Sequence, residues 1–411
     1  MPDRQVRFAL IGGGVAAANC ARMLRRAGAD GEIVLIGREP DLPYNRPPCS
    51  KGYLQGTESR QDTLLESADY YAEHDIEVLT RVSAMKLDPA AKTVKLSNKQ
   101  ELGFDTALIA TGAGVRRLNV EGSELEGIHY LRTLGNADAI RADAAGKRVV
   151  LIGGSYIASE VAATLTELGS QCTMIMLEHL PLSRHFGDQA GGFFHDRLTD
   201  HGVTIHPGQE LARFAGADGR VTTVITTSGL ELEADAVVLG TGAQPDIMLA
   251  RAAGLELGET GGVKVDATLR TSAPDIYAAG DMAEYDSVLH GRRVRIEHWD
   301  VAFQQGRAAA RAMLGAEEPY AVVPYFFSDV ADWTGLEYVG LGGAWDREVV
   351  RGSLDEGEFS IWYLAADRLA GALAVGRSED LQHARRWISE EKDLADLGAA
   401  LADPSSDLRE I

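Results

Sequence analysis

Two stretches of the chain carry the same order of hydrophobic, glycine and polar positions. In the first, VRFALIGGGVAAANCARMLRRAGADGEIVLIGRE, an apolar run from Val6 to Ile11 leads directly into glycines. The alanine-rich segment from Ala16 to Arg26 then places apolar residues at helical spacing, and a second apolar run leads to Glu39. This pattern predicts a buried strand, a glycine turn, a helix and a second strand.

The glycine turn of this stretch has the residue spacing of a dinucleotide-binding fingerprint. Gly12, Gly14 and Ala17 occupy the three small-residue positions of G-x-G-x-x-G/A. The first position allows a tight turn, the second lets the backbone approach a pyrophosphate, and the third allows close packing of helix on strand. Glu39 stands where a carboxylate would bind a ribose hydroxyl. We therefore predict a dinucleotide site at this turn.

The second stretch, KRVVLIGGSYIASEVAATLTELGSQCTMIMLE, repeats this order and ends at Glu178. Gly153, Ser155 and Ala158 occupy its three small-residue positions. Each helix N-terminus offers free N–H groups to one pyrophosphate. The repeated pattern therefore predicts two nucleotide sites rather than two glycine turns without ligands.

Three further apolar runs end in glycine turns. ALIATGA contains Thr111 and Gly112, and AVVLGTGAQPD contains Gly242. APDIYAAGDMAE ends its apolar run at Gly280 and Asp281, whose carboxylate can accept a hydrogen bond from a sugar-like hydroxyl. Any one of these would be an ordinary turn, but together they support a nucleotide-binding protein.

Length and hydropathy narrow the class of protein. With 411 residues the chain exceeds what one hydrophobic core supports, so we predict two or three domains. No apolar run approaches the ~20 residues that cross a bilayer. The first apolar run also lacks the basic start and the cleavage site of a signal peptide. We therefore expect a cytoplasmic protein without a membrane partner.

Charge and cysteine content exclude two further classes. The formal net charge of -21 argues against nucleic acid as a partner. The three cysteines lack the spacing of a metal-ligand pair or a CxxC motif, so no metal site is predicted. A locally basic stretch stands out in this acidic chain, and it contains Arg292, Arg293, Arg295, Arg307 and Arg311.

Taken together, the motifs resemble one family over nearly the whole chain. They are the first fingerprint, PYNRPPCSK, the Thr-Gly turns, the second fingerprint with its glutamate, YAAGD, and EHWDVAFQQG. The chain resembles the FAD-dependent NADH reductases that serve ferredoxins and rubredoxins, which are related to flavoproteins similar to apoptosis-inducing factor. The resemblance implies an α/β fold with two Rossmann-like nucleotide-binding domains, glutathione-reductase-like, and a small α+β C-terminal domain.

The resemblance also implies domain boundaries. It assigns residues 1–113 and 241–318 to a discontinuous FAD-binding domain and residues 114–240 to an NAD-binding domain. Residues 319–411 would form the C-terminal domain, which would cover the flavin through PYFFSD.

The resemblance assigns FAD to positions in several motifs. The first fingerprint would bind the pyrophosphate, Arg46 the phosphates or the adenine, and the Val82 backbone the adenine. Asp281 would bind the ribityl chain, and the helix starting at Glu297 would direct its positive end at the flavin. The full set of implied FAD positions is Gly12, Gly14, Ala17, Glu39, Arg46, Lys51, Val82, Thr111, Gly112, Arg132, Gly280, Asp281, Glu297, His298, Trp299 and Phe327.

The second cofactor implied by the resemblance is NADH. Its implied positions are Gly153, Ser155, Tyr156, Ile157, Glu178 and Gly242. Ser155 replaces a glycine of the usual fingerprint, and we expect its side chain either to crowd the phosphates or to hydrogen-bond them, with weaker NADH binding. Phe327 is a second departure, because such proteins often carry tryptophan there.

Lys51 and Glu160 are the implied catalytic residues. The motif places the Lys51 ammonium beside flavin N5, and the Glu160 carboxylate is expected to approach it. A buried ammonium is costly unless it is paired, so each residue justifies the other. The alternative is a lysine on a solvated loop.

Cys49, two residues before Lys51, is the competing candidate for redox chemistry. Disulfide reductases of this architecture use two cysteines four residues apart, and no second cysteine stands near Cys49. A single thiol would leave only sulfenic acid or thiolate chemistry. The alternative, which we favour, is that Cys49 fills a small apolar site.

The implied function is electron transfer from NADH through flavin to a ferredoxin-type iron-sulfur protein. The hydride would pass to flavin N5, and single electrons would then leave without a cysteine relay. Two other functions stay open at this stage. One is an NADH-responsive redox switch like apoptosis-inducing factor, and the other is an NADH oxidase or a reductase of peroxide or another small molecule.

Overall fold

The structure is a computed structural model that describes residues 2–411, and these form two compact units. The first unit comprises the chain up to Asn45, Thr63–Gly114 and Gln244–Pro324. The second comprises Arg46–Asp62, Val115–Ala243 and Tyr325–Ile411. The division into FAD, NAD and C-terminal domains at the predicted boundaries stays a prediction.

The first unit is built from ten strands and four helices among the described residues, and two short strands lie where the chain passes to and from the second unit. Its strands are Arg4–Ile11, Ile33–Ile36, Ile76–Leu79, Ala84–Asp88, Thr93–Leu96, Glu101–Ile109, Val263–Val265, Ile276–Ala278, Ala283–Ser287 and Arg292–Val294. Its helices are Val15–Arg26, Ala68–Glu73, Met248–Ala252 and Trp299–Met313. The two short strands are Ala113–Val115 and Ala243–Pro245.

The main sheet of the first unit is parallel at its centre. Ile76–Leu79, Ile33–Ile36, Arg4–Ile11 and Glu101–Ile109 lie side by side in this order, all parallel. Ile276–Ala278 extends the parallel part beside Glu101–Ile109. The strand order reverses at Arg4–Ile11, and ligands of open α/β sheets bind beyond the carboxyl ends of the strands at such a point.

Two helices of the first unit pack unusually closely. Val15–Arg26 contacts Trp299–Met313, and a Cβ placed on Gly306 would lie 2.1 Å from the carbonyl oxygen of Ala16. Any larger residue at position 306 would therefore push the two helices apart. This contact fixes the start of the first helix against the middle of the last helix of the unit.

The second unit contains thirteen strands, six α-helices and a short 3-10 helix, Pro47–Ser50. Its α-helices are Gly52–Gln55, Leu134–Ala144, Tyr156–Glu167, Ser183–Asp200, Asp380–Ser389 and Gly398–Ala402. Its strands are Ile128–Tyr130, Arg148–Ile152, Gln171–Ile175, Thr204–His206, Leu211–Ala217, Arg220–Thr226, Glu231–Glu233, Ala236–Leu239, Tyr325–Val330, Thr334–Gly340, Arg347–Ser353, Glu358–Ala365 and Arg368–Val375.

A second parallel sheet has the same order around its glycine turn. Thr204–His206, Gln171–Ile175, Arg148–Ile152, Ala236–Leu239 and Ile128–Tyr130 lie side by side, all parallel. Its two central strands, Arg148–Ile152 and Ala236–Leu239, are almost continuously apolar and buried, as expected for a parallel sheet covered on both faces. The order again reverses at the strand that leads into the fingerprint.

The C-terminal strands form an antiparallel sheet of their own. Tyr325–Val330, Thr334–Gly340, Arg368–Val375, Glu358–Ala365 and Arg347–Ser353 are neighbours in this order. The helix Asp380–Ser389 packs on this sheet. With the two parallel sheets, this arrangement confirms the predicted fold class of two Rossmann-like folds and a small α+β domain.

Candidate active site and nucleotide sites

The first glycine turn is built for close backbone approach. Gly12 has φ +139°, and a Cβ on it would lie 2.1 Å from the carbonyl oxygen of Ala110, so only glycine fits. Gly14 is the N-cap of the helix Val15–Arg26 and has no side chain to cap it. A Cβ on Gly14 would meet no atom within 4 Å. The uncapped N–H groups therefore face open space, which suits a phosphate.

Glu39 and Val82 lie in joined loops beyond neighbouring parallel strands. The Val82 N–H donates to the carbonyl of Gly37 at 3.0 Å, and the Arg81 N–H donates to the carbonyl of Glu39 at 2.9 Å. The Tyr44 hydroxyl donates to Glu39 Oε2 at 2.5 Å. The loops that carry Glu39 and Val82 are therefore joined to each other, and the assignment of these positions to ribose and adenine stays a prediction.

The Thr-Gly turn at Thr111 and the Gly-Asp turn at Gly280 lie beyond two adjacent strands of the same sheet. Thr111 Oγ1 donates to the carbonyl of Asp246 at 2.6 Å, and the Gly112 carbonyl accepts the Asp246 N–H at 2.8 Å. The Gly280 N–H donates to Gln305 Oε1 at 2.8 Å. These bonds fix both turns on the sheet edge that carries Gly12.

The last helix of the first unit supplies a second uncapped N-terminus. His298 is its N-cap and does not cap it with its side chain. The Trp299 indole donates to Asn45 Oδ1 at 3.1 Å, and Arg295 pairs with Glu297. Two uncapped helix starts, an open glycine turn and a carboxylate together form a donor and acceptor set that fits a dinucleotide such as FAD.

The second glycine turn repeats the construction of the first. Gly153 has φ +121°, and a Cβ on it would lie 2.4 Å from the carbonyl oxygen of Gly240. Ser155 is the N-cap of Tyr156–Glu167, but its hydroxyl does not cap the helix. It donates to the Gly240 carbonyl at 3.2 Å. The hydroxyl therefore leaves the first N–H groups of the helix without a side-chain cap, and the expectation that Ser155 crowds the phosphates or hydrogen-bonds them stays a prediction.

The Glu178 carboxylate lies beside this second turn. A Cβ on Gly154 would lie 3.1 Å from Glu178 Oε2. Ile157 and Leu177, also at this turn, are the two exposed large hydrophobic residues of the second unit, at 37% and 67% exposure, among the residues that the structure describes. Leu177 was missed by the sequence reasoning, although its place directly before Glu178 was a usable signal. Gly242, with φ +90°, lies beyond the neighbouring strand.

Tyr156 begins the helix of the second fingerprint and contacts three aromatic rings. Its ring centroid lies 4.5 Å from that of Phe326, 5.3 Å from that of His185 and 5.9 Å from that of Phe186. Burial raises the pKa of the Tyr156 hydroxyl. Burial and then the charge of Arg184 lower the pKa of His185, with Glu178 opposing. A neutral aromatic surface therefore adjoins the glycine turn.

The predicted ion pair between Lys51 and Glu160 is present. Lys51 Nζ lies 2.6 Å from Glu160 Oε1, with side chains 17% and 6% exposed. Lys51 Nζ also donates to the carbonyl of Asp329 at 3.3 Å and lies 3.6 Å from its carboxylate. Lys51 is therefore not a lysine on a solvated loop. The catalytic role of the pair stays a prediction.

Two serines also bind this carboxylate, and the sequence reasoning missed both. Ser50 Oγ donates to Glu160 Oε2 at 2.5 Å, and Ser328 Oγ donates to Glu160 Oε1 at 2.6 Å. Both serines are buried. Ser50 directly precedes Lys51 in PPCSK, and Ser328 directly follows Phe327 in FFSD. Their place beside two predicted site residues was the signal in the sequence that could have identified them.

Three other predicted FAD residues lie in the second unit. Arg46 Nη1 donates to the carbonyl of Arg132 at 2.7 Å. Phe327 is half-buried on the strand Tyr325–Val330 and lies opposite Glu337. These contacts locate the three residues within the second unit, whereas their contacts with FAD stay predictions. In residues 2–411 there is no group of three or more His, Cys, Asp or Glu side chains that could hold a metal.

Cys49→Ser is expected to keep most NADH-dependent turnover. Cys49 is a buried free thiol at 3% exposure, and Cys20 and Cys172 are buried free thiols as well, so none of the three forms a disulfide. The measurement is steady-state NADH oxidation and FAD content, with Cys172→Ser as a matched buried-thiol control. Loss of turnover with FAD still bound would instead support thiol chemistry at Cys49.

The chain matches known families and structures over almost its full length. Residues 6–306 match the family model described as pyridine nucleotide-disulphide oxidoreductase, and residues 325–411 match the model described as reductase C-terminal. The chain therefore belongs to the pyridine nucleotide-disulphide oxidoreductase family. This membership and the two fingerprints confirm the predictions of a flavoprotein oxidoreductase and of FAD and NADH as cofactors.

Its relatives identify the branch of this family. Rhodocoxin reductase of Rhodococcus erythropolis is 36% identical over 395 residues, 96% of this chain and 92% of that protein. The crystal structure of the ferredoxin reductase for the CYP199A2 system of Rhodopseudomonas palustris shares 33% identity with a TM-score of 0.93, covering 98% and 99% of the two chains. The covalent putidaredoxin reductase–putidaredoxin complex gives 33% identity and a TM-score of 0.92, covering 100% and 98%. The resemblance to ferredoxin reductases is thereby confirmed.

Proposed function

We propose that this protein is an NADH-dependent flavoprotein reductase that passes electrons to a ferredoxin-type iron-sulfur protein. The observation that carries the proposal is the buried Lys51–Glu160 pair in a chain with two open glycine turns. The relatives support the acceptor, because they are named as reductases of rhodocoxin, putidaredoxin and ferredoxin. We assign FAD to the turn at Gly12 and NADH to the turn at Gly153.

In this proposal the residues of the chain bind the two cofactors and orient them. When bound, FAD supplies the two-electron oxidation of NADH and the one-electron delivery to an iron-sulfur centre. The uncapped helix starts after Gly14 and Ser155 would hold the two pyrophosphates. Glu160 keeps the Lys51 ammonium in place, and Lys51 provides a fixed positive charge at the nicotinamide.

The basic stretch is the proposed docking face, and the structure reduces the number of arginines available to it. Arg293 pairs with Asp286 at 2.6 Å, and Arg295 pairs with Glu297. On the helix Trp299–Met313, Arg311 is exposed, and Arg307 lies over the Phe303 ring at 5.4 Å. Arg292 is exposed as well. We therefore propose Arg292, Arg307 and Arg311 as the residues that attract an acidic ferredoxin.

Charge reversal at Arg311 and Arg307 is expected to weaken ferredoxin-dependent turnover, with an effect that fades as salt rises. A local basic patch steers an acidic partner, and the screening length at physiological salt is about 8 Å, so distant carboxylates of this chain are largely screened. The measurement is NADH-driven cytochrome c reduction with a panel of ferredoxins at rising salt. Arg251→Glu, on another exposed helix position, is the matched control.

The same assay separates the other two functions. No stimulation by any ferredoxin, together with a long-lived charge-transfer band after NADH addition, would move the assignment to a redox switch. Fast oxygen or peroxide consumption without a protein partner would move it to a small-molecule oxidoreductase. An equal loss of ferredoxin-dependent turnover in Arg311→Glu and Arg251→Glu would refute the proposed docking face but not the proposed function.

A cytoplasmic location is part of the proposal. It is supported by the three buried thiols, which suit a reducing compartment. In residues 2–411 no helix has the length and apolar character needed to cross a bilayer. Cell fractionation with antibody detection tests this location, and recovery of the protein in an extracellular or membrane fraction would contradict it.

A further inference from the structure

The Glu160 carboxylate accepts three hydrogen bonds, which come from two separate segments of the second unit. Ser50 Oγ reaches Oε2, while Ser328 Oγ and Lys51 Nζ both reach Oε1. Glu160 lies on the helix Tyr156–Glu167, Ser50 ends the 3-10 helix, and Ser328 lies on the first C-terminal strand. A buried carboxylate needs such donors, because burial removes the water that would otherwise solvate it.

The segment that carries Lys51 is held to this helix at two points. The Ser50 hydroxyl bonds Glu160, and Thr164 Oγ1, one turn further along the same helix, donates to the Ser50 carbonyl at 2.7 Å. Both Ser50 and Thr164 are buried. The backbone directly before Lys51 is therefore fixed relative to the carboxylate that pairs with its ammonium.

The C-terminal strand contacts both members of the ion pair through consecutive residues. Ser328 donates to the carboxylate, and the Asp329 carbonyl accepts from the Lys51 ammonium at 3.3 Å. Without the Ser328 hydroxyl, Oε1 of Glu160 would have only the lysine as a donor. The carboxylate would then be held only by Ser50 and by Lys51 itself, so it could rotate about its own side-chain bonds, and Lys51 would move with it.

We propose that Ser50 and Ser328 are positioning residues that fix the Glu160 carboxylate so that it holds the Lys51 ammonium in one place. The inference rests on the proposed function in one respect, because that function assigns the Lys51 ammonium to the nicotinamide. The geometric part stands on the three hydrogen bonds alone. The strand Tyr325–Val330 thereby contributes to the lysine site through the Ser328 hydroxyl as well as through the Asp329 carbonyl.

The first test measures the lysine directly in the FAD-containing protein. The purified protein is treated briefly with acetic anhydride, and acetylation of Lys51 is followed over time by peptide mass spectrometry. Ser328→Ala and Ser50→Ala are each expected to speed Lys51 acetylation by about tenfold, since a lost hydrogen bond to a charged group has an effect of that order. Ser328→Thr keeps the hydroxyl and is expected to restore the slow rate.

The matched control is a serine with the same bonding elsewhere in the C-terminal domain. Ser360 Oγ donates to Asp380 Oδ2 at 2.8 Å, and both residues are buried. Ser360→Ala therefore removes an equivalent buried hydrogen bond, and Lys51 acetylation is expected to stay at the wild-type rate. Unchanged acetylation in Ser328→Ala and Ser50→Ala, or an equal rise in Ser360→Ala, would overturn the inference.

Stopped-flow reduction by NADH separates this inference from the proposed function. Ser328→Ala is expected to lower the limiting reduction rate by about tenfold and to leave the half-saturating NADH concentration nearly unchanged. Faster acetylation with an unchanged reduction rate would support the positioning role and reject the catalytic role of Lys51. Unchanged acetylation would reject the positioning role whatever the reduction rate.

Discussion

Glu160→Gln and Lys51→Met are each expected to slow flavin reduction by NADH by roughly a hundredfold while FAD stays bound. Nζ and Oε1 are 2.6 Å apart in a largely buried setting. At an effective dielectric of 20, two charges in contact attract by about 4 kcal/mol before desolvation is subtracted. Removing Lys51 leaves the buried Glu160 carboxylate without a cation, and removing the Glu160 charge leaves Lys51 with only the Asp329 carboxylate at 3.6 Å, so either change is costly. If about 2.7 kcal/mol of this cost raises the activation free energy of flavin reduction, the rate falls a hundredfold.

The double variant distinguishes an interacting pair from two independent residues. If the pair acts as a unit, Lys51→Met/Glu160→Gln will be less impaired than the product of the two single effects, because the second substitution removes a charge that is already unpaired. The measurement is anaerobic stopped-flow reduction, normalised to FAD content. Glu167→Gln, an exposed glutamate on the same helix, is the control. Strictly multiplicative effects would show that the two residues do not interact.

NADH is expected to be preferred over NADPH by tenfold to more than a hundredfold in kcat/KM. The Glu178 carboxylate lies beside the second glycine turn, where a 2′-phosphate would meet it. Like charges brought together cost several kcal/mol, and about 1.4 kcal/mol corresponds to a factor of ten. Glu178→Gln should therefore raise kcat/KM for NADPH while NADH changes less.

Two basic residues close to Glu178 in the sequence, His179 and Arg184, bear on how far this preference extends. His179 Nε2 is bonded to Asp188 at 2.7 Å, so it is already engaged. Arg184 is exposed and is the residue we expect to favour NADPH once Glu178 is neutral, so Glu178→Gln/Arg184→Ala should lose part of the gain. The comparison is steady-state kinetics with both nucleotides, with the exposed Glu124→Gln as control. Equal kcat/KM for the two nucleotides in the wild-type protein would contradict the role of Glu178.

The nucleotide turns could be predicted from the sequence because their requirements are local. Within a few residues, such a turn needs the end of a strand, a residue with positive φ, and the start of a helix whose first N–H groups are not covered by a side chain. Gly12 and Gly153 meet this requirement with φ of +139° and +121°. The strands on either side are apolar runs, so their burial followed from the same pattern.

Hydrogen-bond partners were less predictable, because they depend on which distant segments pack together. No pattern around Ser155 predicted that its hydroxyl bonds the carbonyl of Gly240, 85 residues away along the chain. Arg293 and Arg295 looked like members of a docking patch, but they pair with Asp286 and Glu297. The exposure of Leu177 likewise follows from where the loop after its strand runs.

The sequence by itself determined the two Rossmann-like folds, the glycine turns and the carboxylates at Glu39 and Glu178, whereas the pairing of Lys51 with Glu160 was predicted only from the resemblance to a family. Only the tertiary structure decided how that pair is held. Ser328 reaches Glu160 across 168 residues of chain, and Ser50 reaches it across 110. A buried carboxylate takes whichever donors the packing of separate segments brings within about 3 Å, and no local pattern encodes that choice.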